Sequence, residues 1–315
     1  MHRTRITIRN WAQAAATLAT NGYLKGFTTG TIYTGPLKHV CVPTLNCYSC
    51  PAAMYSCPIG AMQVTVAGAG GLDLTAFHTI AERITAIATS VPMLVIGMLS
   101  LIGAFVGRAA CGWVCPFGWL QELLNKIPLP KFRGPDFLKY LKYAILIVFV
   151  FVLPAFWLDE FDGGEPTFCK FICPAGTLEG GFPLAILKPD LRSQLGWLFT
   201  WKAFTFAIIL VLSMVFKRPF CRWLCPLGAF YAPFNRISLY KLELDKDTCI
   251  KCGKCIKVCP VSIQVTDDIE SGECVRCMEC KEVCPAKCIT FSRAQNSEFS
   301  EKAIEKTIEK KAEPS

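Results

Sequence analysis

The sequence is short of charge. Of its 315 residues 18% are Asp, Glu, Lys or Arg and 52% are hydrophobic, with a mean hydropathy of +0.38. A soluble domain of this length carries about a quarter charged residues, so the composition argues for membrane spans. Histidine is scarcer still. His2, His39 and His78 are the three present, all outside the apolar runs, which argues against a transmembrane b-type haem held by paired axial histidines. No Gly-x-Gly-x-x-Gly follows a strand-like run, so bound NAD is not indicated. No catalytic acid–base constellation stands out either. Glu122, Asp159, Glu160, Asp162 and Glu165 lie near the corners or span ends, where acids are more often topological or solvated than proton carriers for a quinone. The net charge of +9 would suit nucleic acid, but the basic residues cluster beside apolar runs. That placement fits membrane orientation, and no nucleic-acid partner is expected.

Four apolar stretches are expected to span, near residues 10–27, 84–107, 138–158 and 196–216. The second lies uncharged between Arg83 and Arg108 and is long enough for a hydrocarbon core of ~30 Å. The third is shorter, and Lys139 and Lys142 snorkel to lengthen it. The fourth carries Lys202, which needs a partner or a position near an interface. The first follows Arg3, Arg5 and Arg9. It is read as a retained span rather than the apolar region of a signal peptide. With the N-terminus inside, residues 108–142 hold six Lys/Arg against two acids, and residues 159–192 six acids against three Lys/Arg. The positive-inside rule is satisfied. The expectation is a multi-pass protein of a bacterial or archaeal cytoplasmic (inner) membrane, with lipid around it.

Cysteine is the abundant exception, at 19 residues. "CIKCGKCIKVCP" and "CVRCMECKEVCP" each read C-x₂-C-x₂-C-x₃-C-P, the bacterial two-cluster ferredoxin spacing. Three close thiolates take three corners of a cubane, and the fourth of each run crosses to the other cluster. Cys249, Cys252, Cys255 and Cys284 are therefore expected to hold one [4Fe–4S] cluster, and Cys274, Cys277, Cys280 and Cys259 a second. Zinc knuckles lack this tripled spacing. Cys288 is left over as a packed thiol.

Two further corners, "RAACGWVCPFGW" (108–119) and "RPFCRWLCPLGA" (218–229), share Arg, Cys, Trp, Cys, Pro and Gly. Neither completes a cluster alone. Together Cys111, Cys115, Cys221 and Cys225 supply the four thiolates of an inner-face centre, with Trp113 and Trp223 packed over it or anchored at the interface. On the outer side "FCKFICPAG" repeats the pattern with Cys169 and Cys173, and 41–62 holds Cys41, Cys47, Cys50 and Cys57. The Cys-Pro-x-Gly corners at Cys57, Cys115, Cys173 and Cys225 thus alternate outside, inside, outside, inside. The expected outer-face ligands are Cys50, Cys57, Cys169 and Cys173. Cys41 and Cys47 remain, as a disulfide in an oxidising compartment or with Cys47-x-x-Cys50 as a reactive dithiol. The fold expected is mostly α. A four-helix integral membrane bundle, from a duplicated two-span unit, occupies residues 1–240. A C-terminal α+β bacterial two-cluster ferredoxin-like domain follows at 241–291, then a charged tail at 292–315.

Four spans, "CGWVCP" (111–116), "CRWLCP" (221–226) and the terminal ferredoxin runs resemble the NapH-type membrane ferredoxins, relatives of the NosR-like and CcoG-like polyferredoxin proteins. The resemblance implies an electron-transfer protein working between the quinone pool or a cytoplasmic donor and a redox partner protein, across or along the membrane, with its ferredoxin domain in the cytoplasm. It implies a subunit of an oxidoreductase system rather than a stand-alone enzyme. The alternative within the same resemblance is a CcoG-like assembly factor, reducing a thiol or metal for a maturing oxidoreductase. Two clusters are expected in the tail and a third and fourth in the corners. The outer cysteines exceed what the nitrate-reductase-linked members need, which leaves the partner open.

Overall fold

The computed structural model describes residues 8–70, 92–132, 134–157, 165–188 and 196–293. The start of the 84–107 stretch, the acids Asp159, Glu160 and Asp162, and the tail beyond 293 lie outside the described residues. The chain forms two compact units: Met1–Leu99 with Ala110–Phe230, and Ser100–Ala109 with Tyr231–Ser315.

The first unit is helical. Among the described residues two helices are long and apolar enough to cross a membrane, Asp136–Phe156 and Trp197–Val215. They correspond to the third and fourth expected spans. Residues 10–27 do not make one long helix; they belong to Ile8–Thr20 and the short Lys25–Thr29. A helix of 13 residues rises about 20 Å, less than the ~30 Å of a hydrocarbon core. Its polar side chains face protein rather than lipid. Gln13 donates to the Gly112 carbonyl at 2.9 Å, and Arg9 pairs with Glu122 at 2.9 Å. Asn21-Gly22 ends it, and the Thr20 carbonyl accepts from the Met54 N–H. Of the 84–107 stretch, the described helix is Met93–Val106.

Proline shapes the longer helices. In Asp136–Phe156 the stretch Leu146–Val152 is π-helical and runs up to Pro154; Gly176–Gly181 does the same before Pro183. A proline ring collides with the carbonyl four residues back. The wider π turn moves that carbonyl aside without ending the helix.

In the second unit an antiparallel pair, Tyr240–Leu244 with Ile289–Arg293, brackets the two cysteine runs, with Leu244 opposite Ile289. Leu242, Val261, Ile263, Val265, Val275 and Ile289 form its apolar interior. Arg108 is 1% exposed and donates to the Gly272 carbonyl at 2.6 Å, beside Glu273. Six residues between Lys251 and Lys287 have positive φ, and they fall at matched places in the two runs: Lys251 with Arg276, Gly253 with Met278, Ser262 with Lys287. Only one of the six is glycine. A β-carbon in this region costs about 1 kcal/mol, so Met278→Gly, which copies Gly253, should stabilise the unit by about 1 kcal/mol. Denaturant unfolding followed by visible absorbance measures it; a loss of stability would show that the Met278 side chain contributes more than its backbone costs.

Candidate metal centres

The ferredoxin runs form two small cavities. One is lined by Cys259, Cys274, Cys277 and Cys280, with Val261, Ile263 and Val275 among its apolar walls. The other is lined by Cys249, Cys252, Cys255 and Cys284, and also by Cys288. Cys288 Sγ lies 3.3 Å from Cys284 Sγ. The residues present fit an anionic cluster for two reasons. Alternating left- and right-handed residues aim successive backbone N–H groups into a concavity, a form common at iron–sulfur sites. Several thiols already accept such bonds, Cys274 from Arg276, Cys255 from Ile256 and Cys280 from Lys281.

The Cys-Pro-x-Gly corners have a local explanation. Each cysteine stands just before a helical turn that its proline begins, as at Pro116–Asn125 and Pro226–Tyr231. Proline at the first position forfeits no bond, because that N–H has no partner within the helix. The thiol then caps the turn in place of serine or aspartate. Gly118 and Gly228 N–H groups donate to Cys115 and Cys225 Sγ, each at 3.4 Å. Cys57 and Cys173 accept from Gly60 and Gly176 in the same way. Space accounts for the glycine at 118, where a β-carbon would sit 3.2 Å from the Arg218 guanidinium. At Gly176 a β-carbon would meet Cys47 Sγ at 3.7 Å and Lys202 Nζ at 3.8 Å, which are ordinary contacts.

Corners from distant parts of the sequence meet in pairs. Cys115 and Cys225 both feel the charges of Cys111 and Cys221, so the four thiols share one site. Burial, then Cys221 and Cys111, pushes Cys115 up to about 12. Arg218 stands beside this set. It donates to the Cys111 carbonyl at 2.9 Å and pairs with Glu122 at 2.8 Å, and Glu122 also takes Arg9. Glu122 is therefore an anchor between two buried arginines. The Trp223 ring is buried, packs edge-on against Phe216 and lies over Gly134.

The second set joins Cys47, Cys57, Cys169 and Cys173. Cys169 feels Cys57 and Cys47, and Cys173 feels Cys169, Cys47 and Cys57. Here the structure brings in Cys47. Cys50 accepts from the Ala52 and Ala53 N–H groups, with Glu179 and Lys38 as its charged neighbours. Cys41 bridges to Ser56 and feels Cys57, and no disulfide joins it to Cys47, both being free. Burial, then Glu179, pushes Cys47 up to about 12. Glu179 accepts from the Cys47 N–H at 2.6 Å; burial pushes its carboxyl up to about 7. Lys202 pulls Cys169 the other way, and Lys38 is a second cation beside Cys47. Thiols held this high ionise only with a cation present, and loading metal releases their protons.

The two corner sets lie at opposite ends of the long helices. On Trp197–Val215, Trp201 Nε1 donates to the Phe171 carbonyl near the Cys169 end, while Ser213 and Phe216 carbonyls accept from Asn125 near the Cys115 end. On Asp136–Phe156, Asp136 pairs with Arg222 at 2.8 Å, while the Phe149 carbonyl accepts from Thr167. Helices of 21 and 19 residues rise about 32 and 28 Å.

A sequence comparison shows the kinship. The 4Fe-4S binding domain family matches residues 87–135, 141–182 and 198–244, and the 4Fe-4S dicluster domain family residues 241–285. The uncharacterized protein MJ0750 of Methanocaldococcus jannaschii is 31% identical over 214 residues, which is 64% of this chain and 78% of MJ0750. The chain belongs to the MJ0750 family. A second protein of that organism, MJ0749, is 30% identical over 187 residues, 56% of this chain and 61% of MJ0749. YccM of Escherichia coli, named for a provisional role in electron transport, is 27% identical over 185 residues, 55% of this chain and 47% of its own. The NosR kinship is present too: the regulatory protein NosR of Pseudomonas aeruginosa is 31% identical over 170 residues, 52% of this chain but 22% of NosR. No solved structure matches. The chain thus spans under two thirds of several relatives it matches, and it is a multi-cluster [4Fe–4S] protein.

Three features of these sites carried no signal that sequence reading used. The approach of Cys47 to Cys169 and Cys173 follows from the folding of the 41–57 loop. Gln63 and Gln121 each stand six residues after a corner cysteine. The corners at Cys57, Cys115 and Cys173 are evenly spaced by 58 residues, a period that aligns those glutamines.

Proposed function

We propose that this chain is a multi-pass membrane electron-transfer protein of the NapH kind. It would carry electrons between a quinone pool or cytoplasmic donor and a redox partner protein, from one face of the membrane to the other. One observation carries this reading: two four-thiol sets stand at opposite ends of two helices long enough to cross a membrane. A bound [4Fe–4S] cluster supplies one-electron storage at a potential set by net charge, burial and hydrogen bonds to sulfur. Cys111, Cys115, Cys221 and Cys225 would hold the inner centre, and Cys47, Cys57, Cys169 and Cys173 the outer. Cys249, Cys252, Cys255 and Cys284, then Cys274, Cys277, Cys280 and Cys259, would hold the ferredoxin pair. Arg218 and Lys202 offset the negative charge of the corner sets. The apolar segments near 10–27 and 84–107 would complete a four-helix bundle, with the first helix packed against protein and too short to span by itself. Lys217, Arg218 and Arg222 after the last span keep the ferredoxin domain cytoplasmic.

Iron and acid-labile sulfide per chain, on protein purified anaerobically, test the reading. Four cubanes require about sixteen irons, and reduced samples should show EPR signals beyond those of a two-cluster ferredoxin. About eight irons would confine clusters to the tail. The corner cysteines would then be working thiols, and a CcoG-like role in reducing a thiol or metal for a maturing oxidoreductase would replace the conductor.

A further inference from the structure

Each corner set contains one glutamine that reaches a sulfur across the repeat. Gln121 Nε2 donates to Cys221 Sγ at 3.1 Å, and its Oε1 accepts from the Phe220 N–H at 3.1 Å. Gln63 Nε2 lies 3.2 Å from Cys169 Sγ, and its Oε1 accepts from the Phe168 N–H at 2.9 Å. Both amides also reach the carbonyl four residues back, Phe117 and Ile59. Gln121 is 1% exposed and Gln63 0%. A buried amide keeps its place only when its donors and acceptor are satisfied. These two are satisfied by the same three partners, in two sites a repeat apart. Gln63 follows Cys57 as Gln121 follows Cys115, and each binds the first cysteine of the corner two steps further along the chain. At the equivalent positions of the other corners stand Glu179 and Tyr231, so the amide is present once per set.

We propose that Gln63 and Gln121 are matched positioning residues. Each selects which two corners meet, by binding the backbone N–H before the distant cysteine, and each raises the reduction potential of its centre through an N–H···S bond. The second role has a plain electrostatic cause. A donor draws charge from the ligand sulfur and so favours the reduced, more negative cluster. This rests on the corner-built centres proposed above.

The test uses full-length Gln121→Glu and Gln63→Glu, purified anaerobically beside the parent chain. A carboxylate of nearly the same shape still accepts the Phe N–H but offers sulfur no donor. Iron and sulfide are counted first. A parent with about eight irons defeats the corner-centre reading itself, before the glutamines are in question. A parent and variants with about sixteen irons go to EPR-monitored redox titration. The expected result is a fall in one midpoint potential per variant, in a different EPR component for each glutamine. Unchanged potentials, a shift of the same component by both variants, or iron loss in the glutamate variants would overturn the proposal. Gln121→Leu and Gln63→Leu separate the two roles. They remove both bonds and should lose about four irons each, because the paired corner then lacks its register. Full iron in the leucine variants would overturn the pairing role.

Discussion

Cys47→Ala should lower the iron content by about four per chain, while Cys50→Ala should leave it unchanged. The two cysteines are three residues apart and either one, with Cys57, Cys169 and Cys173, gives the four thiols a cubane needs. The geometry separates them. Cys173 feels Cys47, and Cys47 Sγ lies 3.7 Å from where a β-carbon on Gly176 would be, at the heart of the Cys173 corner. Cys50 instead turns into its own loop, where the Ala52 and Ala53 N–H groups hold its sulfur among Phe27, Cys47, Ala52 and Ala53. Alanine at 50 removes a buried thiol and leaves the Ala52 N–H short of an acceptor, while the Ala53 N–H keeps the Cys50 carbonyl at 3.1 Å, a stability loss of about 1–3 kcal/mol without loss of metal. Iron assay and EPR on the two variants decide between them. The reverse pattern, iron lost with Cys50 and kept without Cys47, would remove Cys47 from the outer centre.

Glu122→Ala should be the most destabilising single change outside the cysteines. Glu122 is 12% exposed and its Oε1 serves both Arg9, at 2.9 Å and 6% exposed, and Arg218, at 2.8 Å and fully buried. Removing the carboxylate takes the anion from two buried guanidinium groups and leaves them carbonyl partners, and breaking a buried pair costs about 3–5 kcal/mol. The damage is local to the Cys111, Cys115, Cys221 and Cys225 set. Arg218 also holds the Cys111 carbonyl and adopts a φ of 45°, a conformation that a non-glycine residue keeps only under constraint from its surroundings. Glu122→Gln retains an acceptor and should lose about half as much. Thermal unfolding in detergent gives the order Gln before Ala, with inner-centre iron lost first in the alanine variant. Equal melting temperatures in all three proteins would remove the anchor.

What was legible in the sequence was what is local. The ferredoxin spacing keeps every near ligand within one or two turns, and the cavities gather the same two foursomes, Cys288 apart. The corners were legible because a thiol cap, a proline and a glycine make a self-contained turn. What escaped depended on partners far along the chain. The stretch after Arg9 reads as an apolar helix until Glu122 and the Gly112 carbonyl are seen to take its polar stripe, 113 and 99 residues away. Glutamine on a helix reads as a solvated residue, and nothing near Gln63 or Gln121 announces a sulfur 106 or 100 positions on. The π turns before Pro154 and Pro183 likewise depend on how a proline is accommodated, which composition does not state.

The long helices also serve as rulers. Trp197–Val215 presents Trp201 and Lys202 to one set of thiols and Ser213 to the elements of the other, along a single rod without a proline in it. Inserting one residue between Lys202 and Ser213 would advance one end by 1.5 Å and turn it by about 100°. Whichever end stayed seated, the other would face the wrong way. The two sets of thiols are therefore phase-locked: substitutions can adjust one set alone, but a change of helix length between them cannot.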